Sequence, residues 1–348
     1  MKVGYVYDSV YLEHDTGQHP ESAARLEAIM SRLEESSLKK RLYHIPPRPA
    51  TIEELALVHH EEYITYVQAI AKSGGGWLDP DTVVSPGSYK AALYAAGGVI
   101  RATEVVMNEG GSAYALVRPP GHHATATRAM GFCLFNNVAI AARCAQNRFS
   151  LERVVIIDFD IHHGNGTQDA FYDDPKVLYV STHEFPLYPG TGGLEETGIR
   201  GAKGTTVNIP LPAGSGDAEY LQVFDEIIAP VVKRFSPELI LVSAGYDGHW
   251  SDRLAMMDLS VTGYAKMVRI IKGLADEMCG GHLVLTLEGG YPLAALAASV
   301  KATFDVLLGE KDIDDPLGPP QSGFKLRGFG TPDITSLVKS LKRIHKLA

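Results

Sequence analysis

Cysteine is scarce: the chain of 348 residues carries three, Cys133, Cys144 and Cys279, set far apart. That usage provides neither a disulfide framework nor a Cys-x-x-Cys knuckle, and it suits a reducing cytosol. Any metal would have to be held by oxygen and nitrogen. Positive charge is also short, with 32 Lys and Arg against 41 Asp and Glu and a formal net charge of −9. Such a balance leaves no basic footprint, so no nucleic-acid partner is expected. No apolar run reaches the roughly 18 residues that a membrane helix needs. The opening Met1 to Asp8 is too short in apolar content for a signal peptide and reads as a first strand. A cytoplasmic protein without a membrane segment is the expectation. Low-complexity tracts and internal repeats are missing as well.

What the chain has is a globular balance, 45% hydrophobic and 21% charged, and a repeating alternation of short and long patterns. β-Branched runs occur at Ala113 to Val117, Arg153 to Asp158, Val177 to Ser181, Thr206 to Ile209, Leu239 to Ser243 and His282 to Leu287. Several are apolar on both faces, the mark of parallel strands covered by helices on either side. The stretches between them, Ser88 to Asn108, Asn136 to Asn147, Asp217 to Arg234 and Thr262 to Cys279, suit crossover helices. The spacing predicts one doubly wound α/β domain. Asp312 to Pro332 is rich in Pro and Gly and reads as a surface loop before a last helix over Asp333 to Lys346. That helix is basic at Lys339, Lys342, Arg343 and Lys346, as a solvated face would be.

Four of the apolar runs end in unusual polar residues. In open parallel sheets ligands bind outside the carboxyl ends of the strands, so these ends are candidates for one site. They read Arg118-Pro-Pro-Gly-His122-His123, Asp158-Phe-Asp160-Ile-His162-His163, Ser243-Ala-Gly-Tyr-Asp247 and Glu288-Gly-Gly-Tyr291-Pro292. If the strand continues through His162, Asp158, Asp160 and His162 share one face. Asp160, His162 and Asp247 offer an O, N, O ligand set that suits Zn²⁺ and is compatible with Fe²⁺. A metal there would activate water and polarise a carbonyl, two services that amide hydrolysis needs. The remaining needs are proton transfer and an oxyanion donor, which His122, His123 and Tyr291 can supply, with Asp158 orienting one imidazole. His163, on the opposite face, reads as structural, as does the His59-His60 pair in an expected helical stretch. Cys133 reads as a small buried hydrophobe, and Phe171 and Tyr172 as core.

These motifs, together with His19-Pro20-Glu21, Gly131 to Asn137, the continuation of the Asp158 run to Gln168, and Tyr188 to Gly192, resemble the histone deacetylase family. The resemblance runs over roughly residues 3 to 310. It implies the arginase-deacetylase fold, a parallel sheet of about eight strands flanked by helices, in a catalytic domain over 1–310; the loop and helix of 311–348, beyond the resemblance, are expected to pack on it. It also implies a Zn²⁺-dependent amide hydrolase with Asp160, His162 and Asp247 as ligands. His122 and His123 become a tandem acid–base pair, backed by Asp158 and Asn165. The Asn at 165 looks like the class II branch and leaves His123 without a carboxylate partner. Tyr291 matches the transition-state tyrosine, Phe132 and Tyr188 the walls of an acyl-lysine tunnel, Gly131 an acceptor for the substrate amide, and Arg25 an arginine of an internal acetate channel. A structural K⁺ would use Asp158, Asp160, His162 and Ser181.

The resemblance leaves two substrate classes. Polyamine-selective relatives carry an acidic gatekeeper seven residues after the last metal-binding Asp, where this chain has Leu254, as lysine deacetylases do. Another polyamine branch carries a long insert where Gly74 to Ser88 runs here, and no insert is evident. Asp79 and Asp81 in that loop could still meet a cation at the rim. The leading expectation is removal of acetyl, or other short acyl groups, from lysine side chains of proteins or peptides. Small acetylated amines are the alternative. A catalytically silent acyl-lysine reader is opposed by the intact ligand set and Tyr291, and ureohydrolysis at a two-metal site would need more carboxylates. Oligomeric state has no signature in the sequence.

Overall fold

The computed structural model describes residues 2–321 and 332–348. Among the described residues ten strands form: β1 Val3–Val6, β2 Tyr43–His44, β3 Gly76–Asp79, β4 Thr82–Val84, β5 Ser112–Ala115, β6 Val154–Asp158, β7 Val177–Glu184, β8 Thr206–Leu211, β9 Leu239–Ala244 and β10 Leu283–Leu287. Eight of them make one parallel sheet in the order β2-β1-β5-β10-β9-β6-β7-β8, and β3 and β4 form a small antiparallel hairpin. The central strands are buried along their whole length, as the two-sided apolar runs require. The expected α/β architecture with an eight-stranded parallel sheet is what forms.

Helices Ala24–Glu35, Leu293–Leu307 and Val261–Cys279 pack together, and Ser88–Glu109 packs on Asn137–Phe149, so two groups flank the sheet. Local chemistry sets their ends. The Asn136 side chain accepts from the Ala139 N–H at 3.1 Å, and Ser260 Oγ from the Gly263 N–H at 3.0 Å. Gly280 closes Val261–Cys279 in a left-handed conformation.

Three local expectations change. The helix expected over Asp217 to Arg234 is interrupted by a π turn at Phe224–Ile228, just before Pro230, which has no N–H to continue the α ladder. His59 and His60 lie between helices Ile52–Leu55 and Glu61–Lys72 rather than within one. Tyr172 is only half-buried, whereas Phe171 is core. The last helix runs Thr335–His345, with Val338 and Leu341 in the same core as the sheet. Of the Pro/Gly-rich loop expected before it, 322–331 lie outside the described residues. No helix among the described residues is long and apolar enough to cross a membrane.

Candidate active site

The strands whose ends carry the polar motifs, β5, β10, β9 and β6, are contiguous in the sheet. Register keeps their carboxyl ends level, with Asp158 of β6 opposite Ser243 of β9, and Ser243 opposite Thr286 of β10. The strand does not continue through His162, however; β6 stops at Asp158. Asp158 Oδ1 accepts the Asp160 N–H at 3.2 Å, and Asp160 Oδ1 accepts the His162 N–H at 2.9 Å. Two successive Asx-type turns, rather than the pleat of a strand, therefore bring these side chains to the site.

Asp247, three residues past β9, accepts the Ile161 N–H at 3.1 Å with Oδ1 and turns Oδ2 toward His162. His162 Nδ1 lies 3.2 Å from Asp160 Oδ1 and 3.0 Å from Asp247 Oδ2. One ligand atom from each of the three residues falls within 4.8 Å of the other two. Both carboxylates are fully buried, an arrangement that is costly unless positive charge compensates it. Gly245 and Gly289 keep the space around them open, since a Cβ at either would run into the Asp160 carboxylate. The donor set and its cradle fit a divalent cation.

Beside this cluster the two imidazoles of His122 and His123 lie 4.0 Å apart, centroid to centroid. His122 Nδ1 meets Asp158 Oδ2 at 3.0 Å, an oxygen that also receives the Tyr179 hydroxyl at 3.1 Å. His123 Nδ1 meets Asn165 Oδ1 at 2.9 Å. An amide oxygen only accepts, so His123 carries its proton on Nδ1 and leaves a lone pair on Nε2 when neutral. Burial opposes charge on both rings, but at His122 Asp158 and then Asp160 outweigh it and raise the pKa to about 10. At His123 burial, followed by repulsion from His122 and His162, drives the pKa well below the usual value. Their surroundings thus bias the two rings in opposite directions, His122 toward its charged form and His123 toward its neutral one.

The turn bearing Tyr291 contains two glycines, and Gly290 has φ +115°. With no side chains to anchor it, its peptide groups are held by charged residues. Arg25 Nη2 donates to the Glu288 carbonyl at 2.5 Å and Arg25 Nε to the Gly290 carbonyl at 2.7 Å. Asp160 Oδ2 accepts the Gly289 N–H at 2.8 Å, and Asp252 Oδ2 accepts the Tyr291 N–H at 3.1 Å. The Arg25 guanidinium also lies under the Tyr291 ring, 5.2 Å from its centroid. Its third link is to Glu21, which Arg118 shares.

His122, His123, Asp160, His162 and Tyr291 line one cavity of about 230 Å³, walled by Phe132 and Tyr188 and edged by Asp81 and Leu254. Gly131 lines it as well, at φ +56°, where a Cβ would collide with the His123 ring. Asp81 turns its carboxylate onto the Gly131 N–H and the Thr82 hydroxyl. Ser181 sits buried opposite Asp158 and pairs with His183 at 2.9 Å. His163 turns away to Thr191 and Gln168, and Cys133 is buried with its thiol pKa pushed up by burial. His59 is structural, spanning the Thr125 carbonyl and the Asn136 N–H.

The arrangement defines an α/β protein with a paired-histidine, cation-competent pocket at the carboxyl edge of its sheet. Residues 19–307 match the histone deacetylase domain, and the chain belongs to the histone deacetylase family. It is 45% identical to a "probable deacetylase" of Archaeoglobus fulgidus over 99% of this chain and 98% of the relative. It is 42% identical to the chloroplastic histone deacetylase 10 of Oryza sativa, covering 96% and 79% of the two chains. The solved HDA15 HD domain superposes with a TM-score of 0.87 at 34% identity, covering 99% of this chain and 94% of that one. Family membership makes the chain an amide hydrolase of the deacetylase type, for which an acetylated substrate follows.

Two buried acids beside the site had no role assigned from sequence, although Glu288 stood in one of the polar strand ends. Glu288 Oε2 accepts the Gly121 and His122 N–H groups at 2.7 and 3.2 Å, so it holds the turn that presents the histidine pair. Its place before Gly-Gly-Tyr was the only signal. Asp252 had none, because its partner Tyr291 is 39 residues away.

Proposed function

We propose that this protein is a zinc-dependent lysine deacylase, removing acetyl or short acyl groups from lysine side chains of proteins or peptides. The observation that carries the reading is the convergence of Asp160, His162, the histidine pair and Tyr291 on one cavity, with Asp247 behind it completing the ligand set of Asp160 and His162. Asp160, His162 and Asp247 would hold the metal, Zn²⁺ or in its place Fe²⁺. When bound, such an ion supplies Lewis-acid activation of water and of the acyl carbonyl.

The protein's own groups do the rest. Neutral His123, with Nε2 free, takes the proton of the attacking water and passes it on to the leaving lysine nitrogen. Cationic His122, held by Asp158, stabilises the negative charge that develops beside it. Tyr291 keeps its proton, because burial raises its pKa well above 10, and donates it as a hydrogen bond to the oxyanion. Phe132 and Tyr188 flank the lysine stem, Gly131 takes the substrate amide, and Arg25 faces the product acetate. A K⁺ ion would draw on Asp158, Asp160, His162 and Ser181. We treat 1–310 as the catalytic unit with 311–348 packed on it, and assign the protein to the cytoplasm on its three buried free cysteines.

The second reading, an N-acetylpolyamine hydrolase, rests on Asp81 at the rim. It is weaker, since the Asp81 carboxylate already serves Gly131 and Thr82 and Leu254 is apolar. Purified protein, stripped by chelation and reconstituted with Zn²⁺ or Fe²⁺, is assayed on acyl-lysine peptides of graded chain length and on N-acetylputrescine. Chelation should abolish turnover, the metal should restore it, and kcat/KM should favour the acetyl-lysine peptide. Preference for acetylputrescine would transfer the assignment to the second reading. Tyr291→Phe should lower kcat on the order of 100-fold, and unchanged turnover would remove its assigned role.

A further inference from the structure

We propose that Asp252 is a positioning residue for Tyr291, clamping the tyrosine's backbone to the loop that carries the pocket rim; this rests on the deacylase reading of the site. Asp252 is buried at 8% exposure on the loop that follows Asp247. Its Oδ2 accepts the Tyr291 N–H at 3.1 Å and its Oδ1 the Leu254 N–H at 3.0 Å, and the Arg253 N–H points to the same carboxylate. Its own N–H is fixed on the His249 carbonyl at 2.7 Å. The carboxylate therefore joins the end of one motif to the rim residue of another.

The need for a clamp follows from the turn. Gly289 and Gly290 impose little backbone preference, and the ring of Tyr291 is placed by whatever fixes the peptide groups around it. Arg25 and Asp160 fix the groups before the tyrosine. Asp252 fixes the tyrosine's own N–H, the last anchor before the side chain. Without it the turn can pivot at Gly290, and the hydroxyl moves by a distance that matters to an oxyanion donor; misplacement of about 1 Å can cost about 100-fold.

The test is a double-mutant cycle of Asp252→Asn with Tyr291→Phe on the zinc-reconstituted protein, with kcat, KM, metal content and Tm read for each. Asn keeps the shape but turns an NH₂ against a ring of backbone donors. Expected is a fall in kcat of about 10- to 100-fold with KM and metal content unchanged. In the Tyr291→Phe background the same substitution should change kcat by less than about 2-fold, since the effect is carried by the hydroxyl. An unchanged kcat in Asp252→Asn, losses that multiply in the double variant, or loss of zinc would each overturn the proposal. A Tyr291→Phe enzyme of full activity would overturn the tyrosine's own role and the clamp with it. Damage by Tyr291→Phe with multiplying losses would sink the clamp alone. If the Asn variant does not fold, Asp252→Ser, whose single, shorter-reaching oxygen cannot bridge the Tyr291 and Leu254 N–H groups as two carboxylate oxygens do, carries the same cycle.

Discussion

Asn165 is where this site departs from a carboxylate-backed pair, and Asn165→Asp tests the proposed division of labour between the histidines. The substitution is nearly isosteric and puts a negative charge 2.9 Å from His123 Nδ1. Coulomb's law at that distance, with an effective dielectric of about 20, gives an upper bound of about 6 kcal/mol. Desolvation of the new carboxylate takes back part of it, and an opposite charge this close typically raises a pKa by about one to three units. His123 starts well below its usual value, depressed by burial and by His122. A general base works only when deprotonated, so activity is lost as pH falls through its pKa. Raising that pKa moves the acid limb of the kcat/KM profile to higher pH, by about one to three units. The assay is an acetyl-lysine peptide hydrolysed by the zinc-loaded wild type and variant from pH 9 down to the lowest pH at which both stay folded, so that the acid limb is captured. An acid limb that stays in place, in a folded variant with full metal content, would refute the assignment of His123 as the neutral base.

Other outcomes follow from steric and ionic features of the same region. At Gly164 an added Cβ would strike the Asp158 carboxylate and lie 2.6 Å from the Tyr179 hydroxyl. Gly164→Ala should therefore cost about 10-fold or more in kcat through His122, with wild-type turnover the disproof. His59 is held neutral, its pKa lowered to about 4 by burial, because its Nε2 must accept the Asn136 N–H. Unfolded, it titrates near 6.5, so its contribution is complete above that pH and is lost as pH falls from 6.5 towards 4, by up to about 3 kcal/mol. Urea unfolding at pH 7.5 and 5 should show a smaller pH dependence in His59→Gln than in the wild type. An equal dependence would show that another group controls it.

The parts of the molecule legible in the sequence are those governed by local pattern. Runs such as Val154 to Ile157 and Leu283 to Leu287 are apolar on both faces, so their place inside a parallel sheet could be read directly. The polar strand ends announced the site because parallel topology sends them to one edge. The condition for a shared strand face at His162 is not met, because the carboxylates of Asp158 and Asp160 capture the next N–H groups and end the strand, a competition that alternation does not register. The π turn at Phe224–Ile228 was not legible because a single Pro230 shifts the register of an otherwise helical pattern. Asp252 and Glu288 act on backbone N–H groups 39 and at least 166 residues away, and no sequence spacing encodes such a partnership.

The position of β10 in the sheet has a consequence for how activity arises. Among the described residues it is the last strand in the sequence, yet it lies between β5 and β9, joining the part built from the first third of the chain to the part built from the middle. Tyr291 and Glu288 are delivered only when that strand slots home. On the proposed role of Tyr291, activity would require the completed sheet: a chain ending before residue 283 should hold the three metal-competent side chains in its sequence while remaining inert.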